Sequence, residues 1–85
     1  IIENHIHNWE IHPNPSKDQC VIEGIINEPT TILITNNVGK IVRQFSIDKN
    51  GIFKKNITLD GLSSGIYFIK ISNTKEEITK KLVKI

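Results

Sequence analysis

Residues 62–71 read Leu62-Ser63-Ser64-Gly65-Ile66-Tyr67-Phe68-Ile69-Lys70-Ile71, and this stretch decides the fold class. A polar corner ends at a glycine, which permits a bend that a side chain would resist. A period of two then begins, with Tyr67, Ile69 and Ile71 on one face. That period belongs to a half-buried strand. After a short polar turn comes Ile78-Thr79-Lys80-Lys81-Leu82-Val83-Lys84-Ile85, a second alternating run rich in lysine.

Short alternating runs and turn chemistry also fill the chain upstream. Strands are expected at about Asn8–His12, Gln19–Ile25, Thr30–Thr35, Lys40–Ile47, Ile52–Leu59, Ile66–Ser72 and Glu77–Ile85. Pro13-Asn14-Pro15 ends the first, because two fixed φ angles and two missing N–H groups stop a ladder. Asn27-Glu28-Pro29 breaks the second. Asn36-Asn37-Val38-Gly39 makes a tight connection, with Gly39 suited to positive φ. Asn50-Gly51 is the strongest hairpin signal, since a type I′ turn needs positive φ at both central residues. Cys20 and Ile22 share one face, as do Ile32 and Ile34, and Ile57 and Leu59. Val42 is expected in the core. Seven short strands predict an all-β, antiparallel sandwich of two packed sheets.

Tyr67 resembles the tyrosine corner of immunoglobulin-like sandwiches, where the ring packs in the core and the hydroxyl bonds to nearby backbone. Leu62 would lie beneath it. The last strand alternates Ile78, Lys80, Leu82 and Lys84 against Thr79, Lys81, Val83 and Ile85, so neither face is free of lysine. An edge position explains this, because edge lysines discourage pairing with other chains.

The chain has 85 residues and no alanine or methionine, and isoleucine dominates its apolar content. That composition suits a sheet and a single small domain. A net charge of +2 is too mild for a nucleic-acid footprint, which needs a clustered basic face. No apolar run is long enough for a transmembrane segment. The chain opens at Ile1 without a signal peptide, which reads as a fragment or a processed product.

Little here suggests catalysis. Cys20 is the only cysteine and reads as a small buried hydrophobe. His5, His7 and His12 lack a cysteine or carboxylate cluster of metal-site spacing, so neither metal nor cofactor is expected. The serines have no histidine–acid partners, and Glu76-Glu77 reads as a solvated turn. Trp9 reads as a sheet-packing anchor, since one aromatic makes no sugar or base platform.

Four segments occur in a telling order. They are Pro13-Asn14-Pro15; Ile32, Ile34-Thr35-Asn36, Gly39-Lys40 and Val42; Leu59-Asp60-Gly61-Leu62-Ser63-Ser64-Gly65-Ile66-Tyr67; and Lys81-Leu82-Val83-Lys84. Together they make the chain resemble the C-terminal sorting domain of type IX (Por) secretion cargo proteins of Bacteroidetes. One departure is Ser16-Lys17-Asp18-Gln19, where the family often has a glycine.

The resemblance implies an immunoglobulin-like β-sandwich over residues 8–85, with residues 1–7 ending a linker from an N-terminal cargo domain. It implies a secretion signal that passes through the periplasm to the cell surface or beyond. Its partners would be translocon or shuttle proteins and a surface sortase that removes the domain, anchoring or releasing the cargo. Cleavage would fall upstream of Trp9, near His7. In this reading the last strand binds by strand addition at its edge. Lys80, Lys81 and Lys84 would meet an acidic surface, and Leu82 and Val83 would supply apolar contact. Pro13, Asn14, Pro15, Gly39, Leu62, Gly65 and Tyr67 would shape the fold. The alternative is an immunoglobulin-like spacer or adhesion module, with glycan binding as its activity.

Overall fold

A computed structural model describes residues 9–85. Seven strands follow in order: β1 Glu10–His12, β2 Gln19–Ile26, β3 Thr30–Thr35, β4 Ile41–Ile47, β5 Gly51–Thr58, β6 Gly65–Ser72 and β7 Glu77–Lys84. The expected strands stand within a residue or so of these bounds, except that Asn8 and the linker at 1–7 lie outside the described residues. A three-stranded sheet has the order β1-β2-β5, and a four-stranded sheet the order β4-β3-β6-β7. All strand pairs are antiparallel. This is an immunoglobulin-like order, with the fourth strand paired to the third rather than to the fifth.

Two pairs carry the sandwich. In the smaller sheet β2 and β5 align along eight positions, from Gln19↔Thr58 to Ile26↔Gly51. In the larger, β3 lies between β4 and β6. Period-two alternation then sends Cys20, Ile22 and Ile26 inward from β2, and Ile32 and Ile34 from β3. Ile69 and Ile71 face them from β6, and all are buried. Burial also pushes the Cys20 thiol pKa up, because a thiolate loses its hydration there.

Asn50-Gly51 is not a hairpin turn, contrary to the local signal. It carries the chain from one sheet to the other, since β4 pairs with β3 while β5 pairs with β2. Gly51 has φ +112°, but no non-glycine residue among those described has positive φ. Asn50 therefore lacks the conformation that a type I′ turn requires. Joining β4 to β5 in one sheet would cost β2 its long partner, so the tertiary pairing overrides the dipeptide.

β4 departs from simple alternation. Thr35 pairs with Ile41 while Ile34 pairs with Arg43, so the register shifts at Val42. Val42 and Phe45 both pack against the core across this irregularity, which strict alternation forbids. The β3–β4 turn is tied by Asn36, whose Oδ1 accepts bonds from the N–H groups of Val38 and Lys40. Gly39 has φ +89° there.

A sandwich has two open sides. On one, Arg43 of β4 donates to the carbonyls of Thr58 and Asp60, and Lys55 of β5 sits 5.2 Å from the Phe45 ring centroid. The other side, between β1 and β7, is closed differently and is taken up below.

Trp9 is only 2% exposed. Its ring lies tilted against Phe53 at 5.7 Å between centroids and covers Gly24. A Cβ built on Gly24 would stand 2.4 Å from Trp9 Cδ2. Gly24 is thus a strand glycine kept for close approach, a role its sequence context did not announce. Gly24→Ala is expected to destabilise the domain by about 1–3 kcal/mol through overpacking, read from the urea midpoint.

On the outer face of the small sheet, Glu23 pairs across from Glu10. His12 Nε2 lies 2.5 Å from Glu23 Oε2. That hydrogen bond, with the charges of His12 and Lys54, holds the Glu23 carboxyl below its usual range. A lowered folded pKa stabilises above the unfolded value, and the contribution is lost as pH falls through the folded one. Glu23→Gln should therefore flatten the acid limb of a stability–pH curve, followed by urea unfolding between neutral and acidic pH.

Candidate functional site

The candidate recognition residues lie on β7. It pairs with β6 along its length, from Gly65↔Lys84 to Ser72↔Glu77, and it is an edge strand of the larger sheet. The structure decides which face is inward. Leu82 is 0% exposed and joins the core, with Ile78 packed partly against it. Lys80 and Lys84 share that parity and are half-buried. Lys81 and Val83 point to the outer face of the sheet. The five residues are therefore not one surface. The apolar contact expected of Leu82 with a partner is made inside the domain instead.

The edge of β7 is also not simply open. Asn14 Nδ2 donates to the Lys81 carbonyl at 2.8 Å, and the Val83 N–H donates to Asn14 Oδ1 at 3.0 Å. Two residues on, the Ser16 N–H donates to the Val83 carbonyl at 2.8 Å, and the Ile85 N–H donates to the Ser16 carbonyl at 2.8 Å. Ser16 thereby forms a parallel bridge with Lys84. A side-chain amide and one residue of backbone thus take the place of a missing strand. Strand addition along Lys81–Ile85 is pre-empted by the domain's own chain, which corrects the expectation of a free edge there.

Ser16 is fully buried, and its hydroxyl donates to the Pro13 carbonyl. Sequence reading passed over it, since no local pattern marks a serine after a proline as interior. Pro13 and Pro15 flank Asn14 and have no N–H of their own to leave unpaired here. Between β1 and the free part of β7 lies an open groove. Trp9, Ile11, His12 and Asn14 line one side, and Thr79, Lys80 and Lys81 the other.

The N-terminal end of β6 holds the corner. Tyr67 is buried, and its hydroxyl donates to the Ser63 carbonyl at 2.6 Å. Leu62 packs partly against the core, and its N–H donates to the Leu59 carbonyl. Gly61 and Gly65 have φ +83° and +152°. Gly65 faces Lys84 directly, so the corner and the lysine-rich strand end meet at one end of the sheet.

Of the histidines, His12 is engaged with Glu23, while His5 and His7 lie outside the described residues. Among the described residues no group of three histidine, cysteine or acidic side chains is placed to hold a metal ion. Nor does any helix there have the length and apolarity to cross a membrane. Trp9 and Tyr67, both buried, offer no aromatic platform to a glycan.

Removing the Asn14 side chain should expose the β7 edge without touching the core. Asn14→Ala is expected to cost about 1–2 kcal/mol for its two hydrogen bonds. The specific sign would be faster hydrogen exchange at the Val83 amide, with the β3 amides unchanged.

No curated protein matches the chain. The protein family described as secretion system C-terminal sorting domain matches it over residues 10–85, which takes in all seven strands, the Asn14 clamp and the Tyr67 corner. The chain belongs to that family, and it is a C-terminal sorting signal of type IX secretion, by which a cargo protein engages that machinery for export to the cell surface or the extracellular space.

Proposed function

We propose that the domain works by being bound rather than by catalysis. It is displayed in the periplasm to a translocon or shuttle protein of the type IX system. A surface sortase then severs it from the N-terminal cargo, which is anchored or released. Residues 1–7 serve as the connection and residues 8–85 as the signal. The observation that carries this reading is the family match over residues 10–85.

The chemistry of the described residues supports the non-enzymatic part. A thiol whose pKa is raised by burial is a poor nucleophile, and the His12 ring is committed to Glu23. Recognition in this reading draws on Lys80, Lys81, Val83 and Lys84. Leu82 supports them from beneath by fixing which way the strand faces. No cofactor takes part.

Deleting the last five residues is a poor test, because it removes Leu82 from the core and the Val83 carbonyl from Ser16. Charge reversal is cleaner. A reporter fused ahead of the domain should reach the surface of a type IX-competent cell and remain in the periplasm without the domain. Lys80→Glu/Lys81→Glu/Lys84→Glu should lower surface display by on the order of tenfold, since opposed charges at an interface cost several kcal/mol. Full display of that variant, shown to be folded by circular dichroism, would remove the lysines from recognition.

A further inference from the structure

We infer that the machinery reads the outer face of the four-stranded sheet, across β6 and β7 together, rather than the β7 segment as a linear tag. This rests on the sorting function proposed above and names the surface that performs it.

The register builds the face. Ile66 lies opposite Val83, and Phe68 lies opposite Lys81 on one side and Thr35 on the other. Thr35 in turn lies opposite Ile41, and Leu33 sits two residues away along β3, on the same face as Thr35. Strands in a sheet are about 4.8 Å apart and same-face neighbours about 7 Å, so these side chains form one continuous patch. Ile66 is 43% exposed, Phe68 36% and Ile41 49%. A patch of large apolar groups held in water by a sheet marks an interaction surface.

The other outer face is different. There Glu10, His12, Glu23, Asn56 and Lys54 predominate, and Glu23 and His12 satisfy each other. Its exposed apolar residues are confined to the Ile25↔Ile52 corner.

Charge selects the occupant. Lys70 on the patch rim is neutralised by Glu77 at 3.7 Å. No ion pair among the described residues engages Lys81, which stands beside Phe68 at the β7 border of the patch. The surface thus fits a protein that offers an apolar area with a carboxylate set to meet Lys81. An interface of this kind has an apolar centre and a polar rim. Because Asn14 and Ser16 occupy the neighbouring edge, side chains and not backbone ladders carry the selectivity.

The test is surface display of the fused reporter. Ile66→Ser/Phe68→Ser should reduce display by on the order of tenfold or more, the loss expected when interface anchors are truncated. Lys81→Glu alone should do so too, and being an exposed change it keeps the test valid if the double variant is poorly folded. Ile52→Ser, on the opposite sheet, should leave display unchanged.

Normal display of a folded Lys81→Glu variant would overturn the inference while leaving the sorting function intact, provided that removing the whole domain still blocks export. Display that survives removal of the domain would instead overturn the function. Sedimentation of the 85-residue chain supplies the remaining arm. A dimer abolished by Ile66→Ser/Phe68→Ser would assign the face to a second copy and overturn the inference, and a monomer supports it.

Discussion

The backbone groups along the outer side of β7 have no neighbouring strand, and the way they are satisfied organises much of the domain. Unpaired backbone donors and acceptors at an edge invite pairing with other chains, and buried ones are costly. The chain answers by folding residues 13–16 against that edge. Asn14 presents its amide as a peptide group would, one donor and one acceptor, and Ser16 continues with its own backbone. The prolines on either side suit a segment that lends a side chain rather than joining a ladder. The clamp also ties the exit of β1, in the small sheet, to the end of β7, in the large one. It is therefore a bond between sheets as well as a cover for an edge.

The two sides of the sandwich are closed by opposite means. Between β4 and β5 the work falls to Arg43, reaching the carbonyls of Thr58 and Asp60, and to Lys55 over Phe45. These are long cationic side chains that span a gap while keeping their charges hydrated. Between β1 and β7 the closure is short and neutral, and it engages backbone. Trp9 completes that side from within, lying flat over Gly24 where no other residue would leave room. The core is mainly isoleucine and leucine, with Trp9, Cys20 and Tyr67 buried among them.

For function, the consequence is a division of β7 by parity. Leu82 anchors the strand. Lys81 and Val83 look outward beside residues of β6. Lys80 faces the groove toward β1. On the recognition surface proposed above, sorting depends on the fold, since unfolding separates Lys81 from Phe68 and Val83 from Ile66. The tyrosine corner lies at the start of β6, where Gly65 stands directly opposite Lys84.

Local patterns in the chain suffice for the strands, for the faces shared by Cys20 and Ile22, by Ile32 and Ile34, and by Tyr67, Ile69 and Ile71, and for the Tyr67 corner. Each of these is written in a period of two or in turn chemistry that acts over a few residues. The ordered segments from Pro13 to Lys84 also sufficed to mark the family. The rest follows from contacts between strands distant in the chain. Sheet membership made Asn50-Gly51 a crossover, because a pairing partner of eight residues outweighs a favourable dipeptide. The shift in β4 let Val42 and Phe45 share the core. The inward face of β7 was ambiguous while lysines marked both sides, and Leu82 settled it by burial against strands far away in sequence. Asn14 lies 67 residues from the carbonyl it binds, a separation over which no local pattern carries information.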